Sequence, residues 1–289
     1  MVYGIVILSM VFWAMTYVWY KIVFTELGPI SVMTIRLVFS ALFMLMFSKI
    51  TKRLSIPNKS DFLLFLLLSL FQPFFYFLAE SYGVSMVSST ISAVIISTIP
   101  VFTPFIAYFF FKEKVTLFNI AGILLSFIGV LAVVLGKNLH FSGSILGIFL
   151  LFAAVLAALA YGVIIVKLTG KYNSFTIISW QNLFGAMYFL PLFFIFDWNN
   201  FIDANFTKQI ILNVIYLAFF GSSLAYVFFT FAIKNLGLVK ASMFTNVIPV
   251  FTAIFAFFVL DETIDAVKGL GIGIVLMGLY MSQINRQKK

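Results

Sequence analysis

An all-α integral membrane protein, with ten transmembrane helices forming two inverted five-helix repeats, is the fold this sequence predicts. Three observations carry the prediction. The 289-residue chain is 63% hydrophobic and only 9% charged, with a mean hydropathy of +1.16, which is more apolar surface than a soluble domain of this size can hide. Its apolar runs reach the roughly 20 residues that a helix needs to cross a ~30 Å hydrocarbon core, and they lack the alternation of a membrane barrel. Finally, Ile99-Pro100-Val101-Phe102-Thr103 returns 149 positions later as Ile248-Pro249-Val250-Phe251-Thr252. The same ungapped offset pairs Ala107 with Ala256, Phe109 with Phe258, Glu113 with Glu262, Gly122 with Gly271 and Gly129 with Gly278. A membrane protein made of two similar halves has the parts to move a solute, because the halves can rock about a site between them.

Ten apolar stretches are expected as spans, at 3–24, 29–48, 61–83, 88–111, 117–136, 143–166, 174–196, 208–232, 238–260 and 266–284. The connections are short, with the clearest breaks at Lys49 to Asp61 and Asp197 to Lys208. The opening stretch from Met1 to Tyr20 has no basic n-region and no clear small-x-small cleavage site, so it is expected to be the first retained helix. The repeats divide as 1–139 and 140–289.

Orientation follows from Lys and Arg. With both termini cytoplasmic, thirteen of these residues fall inside and only Lys21, Lys137, Lys208 and Lys268 outside, Arg36 lying within a span. That is a strong positive-inside bias, and it predicts a multi-pass protein of the cell (plasma or inner) membrane with both ends in. Five spans per repeat make the second half enter from the opposite face. The loops agree. Lys112-Glu113-Lys114 follows the fourth span, whereas Asp261-Glu262-Thr263 follows the ninth, an exchange of basic for acidic residues expected if that position now faces the other side.

Composition also excludes. There is no cysteine, and His140 is the single histidine, so thiolate, haem and His-rich zinc sites lack ligands; no cofactor and no metal are expected. The net charge of +9 sits mostly between spans, where it sets topology, and nucleic acid is not an expected partner. No Walker A sequence is present, which argues against ATP-driven transport by this chain alone. Gly269-Leu270-Gly271-Ile272-Gly273 follows no nucleotide-fold strand. The GxxxG spacing of Gly269 and Gly273 instead predicts close helix packing. Without a paired catalytic constellation the chain is not expected to be an enzyme.

These residues resemble EamA-type members of the drug/metabolite transporter superfamily, over essentially the whole chain. The ten-span count, the duplicated segment with Pro100 and Pro249, and the helix-end Glu113 and Glu262 carry the likeness. So do Phe12-Trp13-Ala14 with Lys21, Pro29 followed by Arg36, and the third-span stretch Phe75-Tyr76-Phe77-Leu78-Ala79-Glu80-Ser81-Tyr82-Gly83. One departure is Ala14 where glycine is common. The resemblance implies two inverted five-helix repeats and carriage of small metabolites, with export as the direction. It does not specify the solute.

Arg36 and Glu80 are the sharpest site candidates, placed at comparable depth in the second and third spans. They either form an ion pair locking two helices, or meet the solute, with Glu80 exchanging a coupling proton as access alternates. An arginine fork suits a carboxylate. Gln72, Tyr76 and Glu80 are four apart and share one face, a polar stripe that faces protein or a water-filled cavity. Trp13 and Tyr17 on the first span, and Trp180, Gln181 and Asn182 early in the seventh, are either packing residues or walls of an aromatic cage for an apolar or cationic solute. Ser97 and Asn246 align across the repeat, each three residues before the shared proline. A proline within a helix removes a backbone hydrogen bond and exposes a carbonyl, so Ser97, Pro100 and Pro249 are candidate hinge or gate residues, with Asn246 a candidate solute contact. Glu113 and Glu262 are expected to cap helix ends or organise loops.

The expected function is alternating-access secondary transport of an amino acid or related small organic metabolite, driven by a proton or solute gradient. The partners would be the solute and the bilayer. The alternatives are a channel or facilitator, which needs a continuous polar pore, and an importer of a cationic or nucleoside-like metabolite.

Overall fold

The computed structural model describes residues 2–111, 116–135 and 143–282. Lys112, Glu113, Lys114, Lys137, His140 and the expected repeat boundary at 139/140 lie outside the described residues. Within them the chain is helical, with no strand. Eight segments are long and apolar enough to cross a membrane: α1 (Val2–Val23), α2 (Pro29–Ile50), α3 (Phe62–Met86), α4 (Ser89–Phe110), α6 (Ile145–Thr169), α7 (Ser174–Ile202), α8 (Lys208–Leu236) and α9 (Leu238–Leu260). Two more helices, α5 (Leu117–Leu135) and α10 (Ala266–Ser282), have shorter apolar stretches, Ile120–Val133 and Ala266–Gly278.

Short polar signals start the helices. Ser88, Ser144, Asn173 and Thr207 each accept a hydrogen bond from a backbone N–H two or three positions into α4, α6, α7 and α8, which satisfies one of the donors that every helix start leaves open. Pro29 opens α2, where its missing N–H costs nothing. Gly237, with φ +82°, is the single residue between α8 and α9. A side chain at that φ would crowd the backbone.

Several long helices are interrupted. A π-helical turn, Leu70–Phe75, breaks α3 and leaves Gln72 non-helical (φ −148°, ψ 117°). Another, Leu217–Leu224, breaks α8. In α4 the helix stops at Ile96 and resumes at Ile99, and in α9 a 3₁₀ turn, Phe244–Val247, precedes Ile248. The repeated prolines therefore do not kink a continuous helix, as the sequence suggested. Pro100 and Pro249 are the second residues of the resumed helices, where no intrahelical bond is lost.

Each half packs against the other: α2 on α7, α3 on α6, α1 on α8 and α9, α4 on α9, and α5 on α10. The α5–α10 crossing is the tightest. A Cβ on Gly129 would lie 2.6 Å from the Val275 nitrogen and 2.8 Å from the Gly271 oxygen. A Cβ on Gly278 would lie 2.5 Å from the Ser126 nitrogen and 2.6 Å from the Gly122 oxygen. The lower-numbered glycine of each helix meets the higher-numbered glycine of the other, so α5 and α10 run antiparallel. The expected Gly269–Gly273 contact does not form, since a Cβ at either position would meet nothing within 4 Å. Gly271 and Gly278 do the packing instead, because their face of α10 is the one turned to α5.

Hydrogen bonds gather the connections at two ends of the bundle. At one end Asp197 accepts from the Ser31 N–H (2.8 Å) and hydroxyl (2.5 Å), the Ser144 N–H bonds the Met86 carbonyl, and Glu262 reaches Ser89 and Thr90. At the other end Lys171 forms an ion pair with Asp61 (2.6 Å), to which Tyr172 also donates (3.0 Å). There the Asn173 amide donates to the Arg53 carbonyl (2.8 Å).

Candidate functional site

A chamber lies between the halves, enclosing about 860 Å³ of non-atom space counting its mouth. Helices α1 to α4 supply one wall and α6, α8 and α9 the other. It runs from Tyr20 and Glu80 in the interior to Leu238, the first residue of α9, at the Asp61 end.

The interior end is built from α1, α2 and α3. Trp13, Tyr17 and Tyr20 recur at intervals of four and three, so they share one face of α1. Glu80 is 5% exposed and, among the described residues, is the one carboxylate lining the chamber. Three phenols donate to it: Tyr76 at 2.7 Å, Tyr17 at 3.2 Å and Tyr20 at 3.3 Å. Arg36 is 1% exposed. Its Nη1 donates to the Tyr20 hydroxyl and its Nε to the Ser222 hydroxyl (2.6 Å). Arg36 and Glu80 therefore form no direct ion pair. The guanidinium donates to the Tyr20 oxygen, and the same hydroxyl donates to the carboxylate, so one phenol separates the two charges.

A charge at this depth costs on the order of 3 kcal/mol by insertion scales, so its surroundings decide whether it is tolerated. The Arg36 guanidinium carbon lies 4.3 Å from the Phe77 ring centre and 5.3 Å from that of Tyr20, contacts worth up to about 2 kcal/mol when desolvated. Gly221 makes room, since a Cβ there would lie 2.6 Å from Thr16 Cγ2 and 3.2 Å from Arg36 Nη2. Gln72 donates to the Tyr226 hydroxyl (2.5 Å), and the Trp13 ring meets Tyr226 and Phe229 edge-on at 5.0 and 4.9 Å.

Six residues singled out from sequence thus meet in one chamber: Trp13, Tyr17, Arg36, Gln72, Tyr76 and Glu80. The other four candidate solute contacts, and the candidate hinge residues Ser97, Pro100 and Pro249, lie outside its lining. The Trp180 indole donates to the Ser55 carbonyl (3.0 Å), binding α7 to the α2–α3 connection instead of walling a cage. Asn182 donates to the Ser40 hydroxyl (2.7 Å) and the Ser222 carbonyl (2.9 Å), which ties α7 to α2 and α8. Gln181, fully buried, accepts from Tyr161 (3.2 Å) and sits behind that lining residue, its Nε2 without a partner. Asn246 lies in the 3₁₀ turn with its Oδ1 unpartnered, between lining residues Thr245 and Ile248. The Ser97 hydroxyl bonds the Val94 carbonyl (2.7 Å) where α4 pauses.

The sequence reading missed Tyr20, Tyr161 and Tyr226. Two signals were available. Tyr20 extends the Trp13–Tyr17 face by one turn. Ser222, Tyr226 and Thr230 repeat the four-residue spacing of Gln72, Tyr76 and Glu80 at an offset of 150, one more than the offset of the repeated segment.

A family model described as the EamA-like transporter family matches residues 1–135 and 145–283. An "uncharacterized transporter" of Archaeoglobus fulgidus is 25% identical over 277 residues, covering 95% of this chain and 94% of that protein. The "uncharacterized transporter YetK" of Bacillus subtilis is 27% identical over 257 residues, 86% of this chain and 75% of its own. A solved crystal structure superimposes with a TM-score of 0.72 at 12% identity, over 96% of this chain and 94% of that one, which shows a shared fold.

Proposed function

We propose that this chain, which belongs to the EamA-like transporter family, carries a small zwitterionic metabolite, an amino acid or a close relative, across the cell membrane by alternating access. The observation that carries this reading is the chamber between the halves, with a buried guanidinium and a buried carboxylate on its wall one phenol apart. A solute ammonium suits Glu80 and its aromatic surroundings, and a solute carboxylate suits Arg36. Glu80 is the group that exchanges a coupling proton. Export is the direction taken from the family resemblance.

Two inverted repeats of five spans, with α5 and α10 as the fifth and tenth, underlie the cycle. Adding 149 to Gly129 gives Gly278, and the same step relates Ser126 to Val275 and Gly122 to Gly271. The Gly129 contact and the Gly278 contact are therefore mates under a two-fold axis, and the antiparallel crossing supports an axis lying in the membrane plane. The pairing of α3 with α6 and of α1 with α8 obeys the same exchange. The Lys and Arg distribution supports both termini in the cytoplasm, which makes the chamber mouth face inward. Carriage is favoured over a channel because the chamber stops at Tyr20 and Glu80.

Purified protein should melt at a higher temperature with a zwitterionic amino acid whose side chain is apolar, since a ligand that binds only the folded chain stabilises it. Proteoliposomes preloaded with that solute should show counterflow. Flux that rises linearly without saturating would overturn the carrier reading.

A further inference from the structure

Glu262 does something that capping α4 does not require. The chain leaves α9 through Asp261, held at φ +53°, and the Glu262 N–H returns to the Ala256 carbonyl (3.2 Å). That turn sends the Glu262 side chain across to the start of α4. There its carboxylate accepts from the Ser89 N–H (2.9 Å), the Thr90 N–H (3.4 Å) and the Thr90 hydroxyl (2.9 Å). Ser88, the local cap, already takes the Ile91 N–H (3.2 Å). A nearby Ser, Asp or Asn would have sufficed for capping, yet the carboxylate comes from the other half of the chain, 172 or 173 positions away.

The two helices it joins are both interrupted, α4 between Ile96 and Ile99 and α9 at the Phe244–Val247 turn. Ile96, Ile99 and Thr103 of α4, and Thr245 and Ile248 of α9, all line the chamber, while the Glu262 contact lies at the end of the bundle opposite the mouth. At the same end Asp197, also of the second half, accepts from the Ser31 N–H and hydroxyl, while the contacts between α3 and α6 are close-packed or backbone. A Cβ on Gly83 would lie 2.7 Å from Leu151 Cγ and 3.0 Å from the Gly147 oxygen, and Ser144 N–H meets the Met86 carbonyl at 3.3 Å.

We propose that Glu262 is the positioning residue that keeps this end of the chamber shut, by holding the α9–α10 turn on the amino terminus of α4, and that the transport cycle breaks and remakes this contact. The proposal rests on the alternating-access reading above. Charge-assisted bonds to a helix start are of the strong kind. They exist only while α4 and the α9–α10 turn are together, so they bias one conformation over the other, which is the requirement for a conformational latch.

The chain has no cysteine, so Thr16→Cys places a single thiol in the chamber. In oriented vesicles a membrane-impermeant maleimide should label it quickly from the mouth side and slowly from the Glu262 side. Glu262→Gln should speed labelling from the Glu262 side about tenfold, the factor associated with one charge-assisted hydrogen bond, and slow it from the mouth side. A merely structural role would not move the two rates in opposite directions. Thr90→Val, which removes only the hydroxyl donor, should shift both rates the same way but less. Unchanged rates in Glu262→Gln overturn the proposal, as do unchanged rates in Thr90→Val if Glu262→Gln does not insert. Equal labelling from both sides in the Thr16→Cys parent overturns the latch alone, because the Glu262 end is then not held shut; no labelling from the Glu262 side in the parent or either variant overturns the alternating-access reading itself, and the latch with it. Side-dependent labelling that ignores both substitutions overturns the latch alone.

Discussion

In α3, Gln72, Tyr76 and Glu80 follow one another at intervals of four; in α8, Ser222, Tyr226 and Thr230 do the same. Both stripes adjoin or enter a π-helical turn, and both send a tyrosine into the chamber. They part at the third position, where one half carries a carboxylate and the other a hydroxyl. Their partners differ as well. Glu80 collects three phenols and, through Tyr20, a guanidinium, whereas on the second half's side Tyr161 meets the neutral Gln181. The same spacing occurs in both helices, and ionisable chemistry fills it once. A solute held there meets one charged pole.

The largest effect should come from removing that pole. Glu80→Gln is expected to lower gradient-driven flux in proteoliposomes at least about tenfold, as loss of a positioned proton-transfer group does, and to flatten its dependence on pH. Thr230→Val, at the matching position, should leave the pH profile in place. Equal profiles for the two variants would erase the contrast.

Arg36→Ala strips Tyr20 and Ser222 of a charged donor and opens a cavity beside Phe77. Two hydrogen bonds to a charged group point to a loss on the order of 3 kcal/mol, read as a lowered unfolding midpoint in detergent. Gln181→Ala removes one neutral partner of Tyr161 and should cost about 1 kcal/mol. A smaller loss for Arg36 than for Gln181 would contradict the charged pole.

Where the halves are alike, paired substitutions should be alike too. Gly129→Ala and Gly278→Ala each push a methyl into backbone, with an expected cost of about 2 kcal/mol by overpacking and near equality between them. Unequal costs would break the two-fold relation at α5 and α10.

The smallest effect concerns the strap outside the spans. The hydrogen bond from Lys171 holds the Asp61 carboxyl below its ordinary range, and Lys171 is correspondingly raised. A depressed carboxylate adds stability that is full above the unfolded pKa, about 3.9, and is lost as pH falls through the lower folded value. Asp61→Asn should therefore change the melting point at neutral pH and converge with the parent in stronger acid.

The helical segments were legible because lipid leaves a chain so few solutions: apolar length alone marks starts that the structure places within a few residues. Gln72, Tyr76 and Glu80 were legible because a polar stripe in an apolar helix has to face something. The role of Tyr20 was hidden, since a tyrosine among 12 tyrosines and 39 phenylalanines gives no sign of what its hydroxyl meets. Which glycines pack was hidden too. Gly269 and Gly273 have the expected spacing, but spacing alone does not say which side of α10 turns toward α5. Residue type did not tell a chamber wall from a fastener: Trp180 bonds the α2–α3 connection, and Asn182, well inside α7, ties that helix to α2 and α8.

At the α5–α10 crossing the chain touches itself main chain to main chain, and among the described residues none of either helix lines the chamber. Side chains can exchange rotamers and let neighbouring surfaces slide. Bare peptide groups have no such freedom. These two helices consequently behave as a single strut, and under the alternating-access proposal whatever travels has to pivot around it.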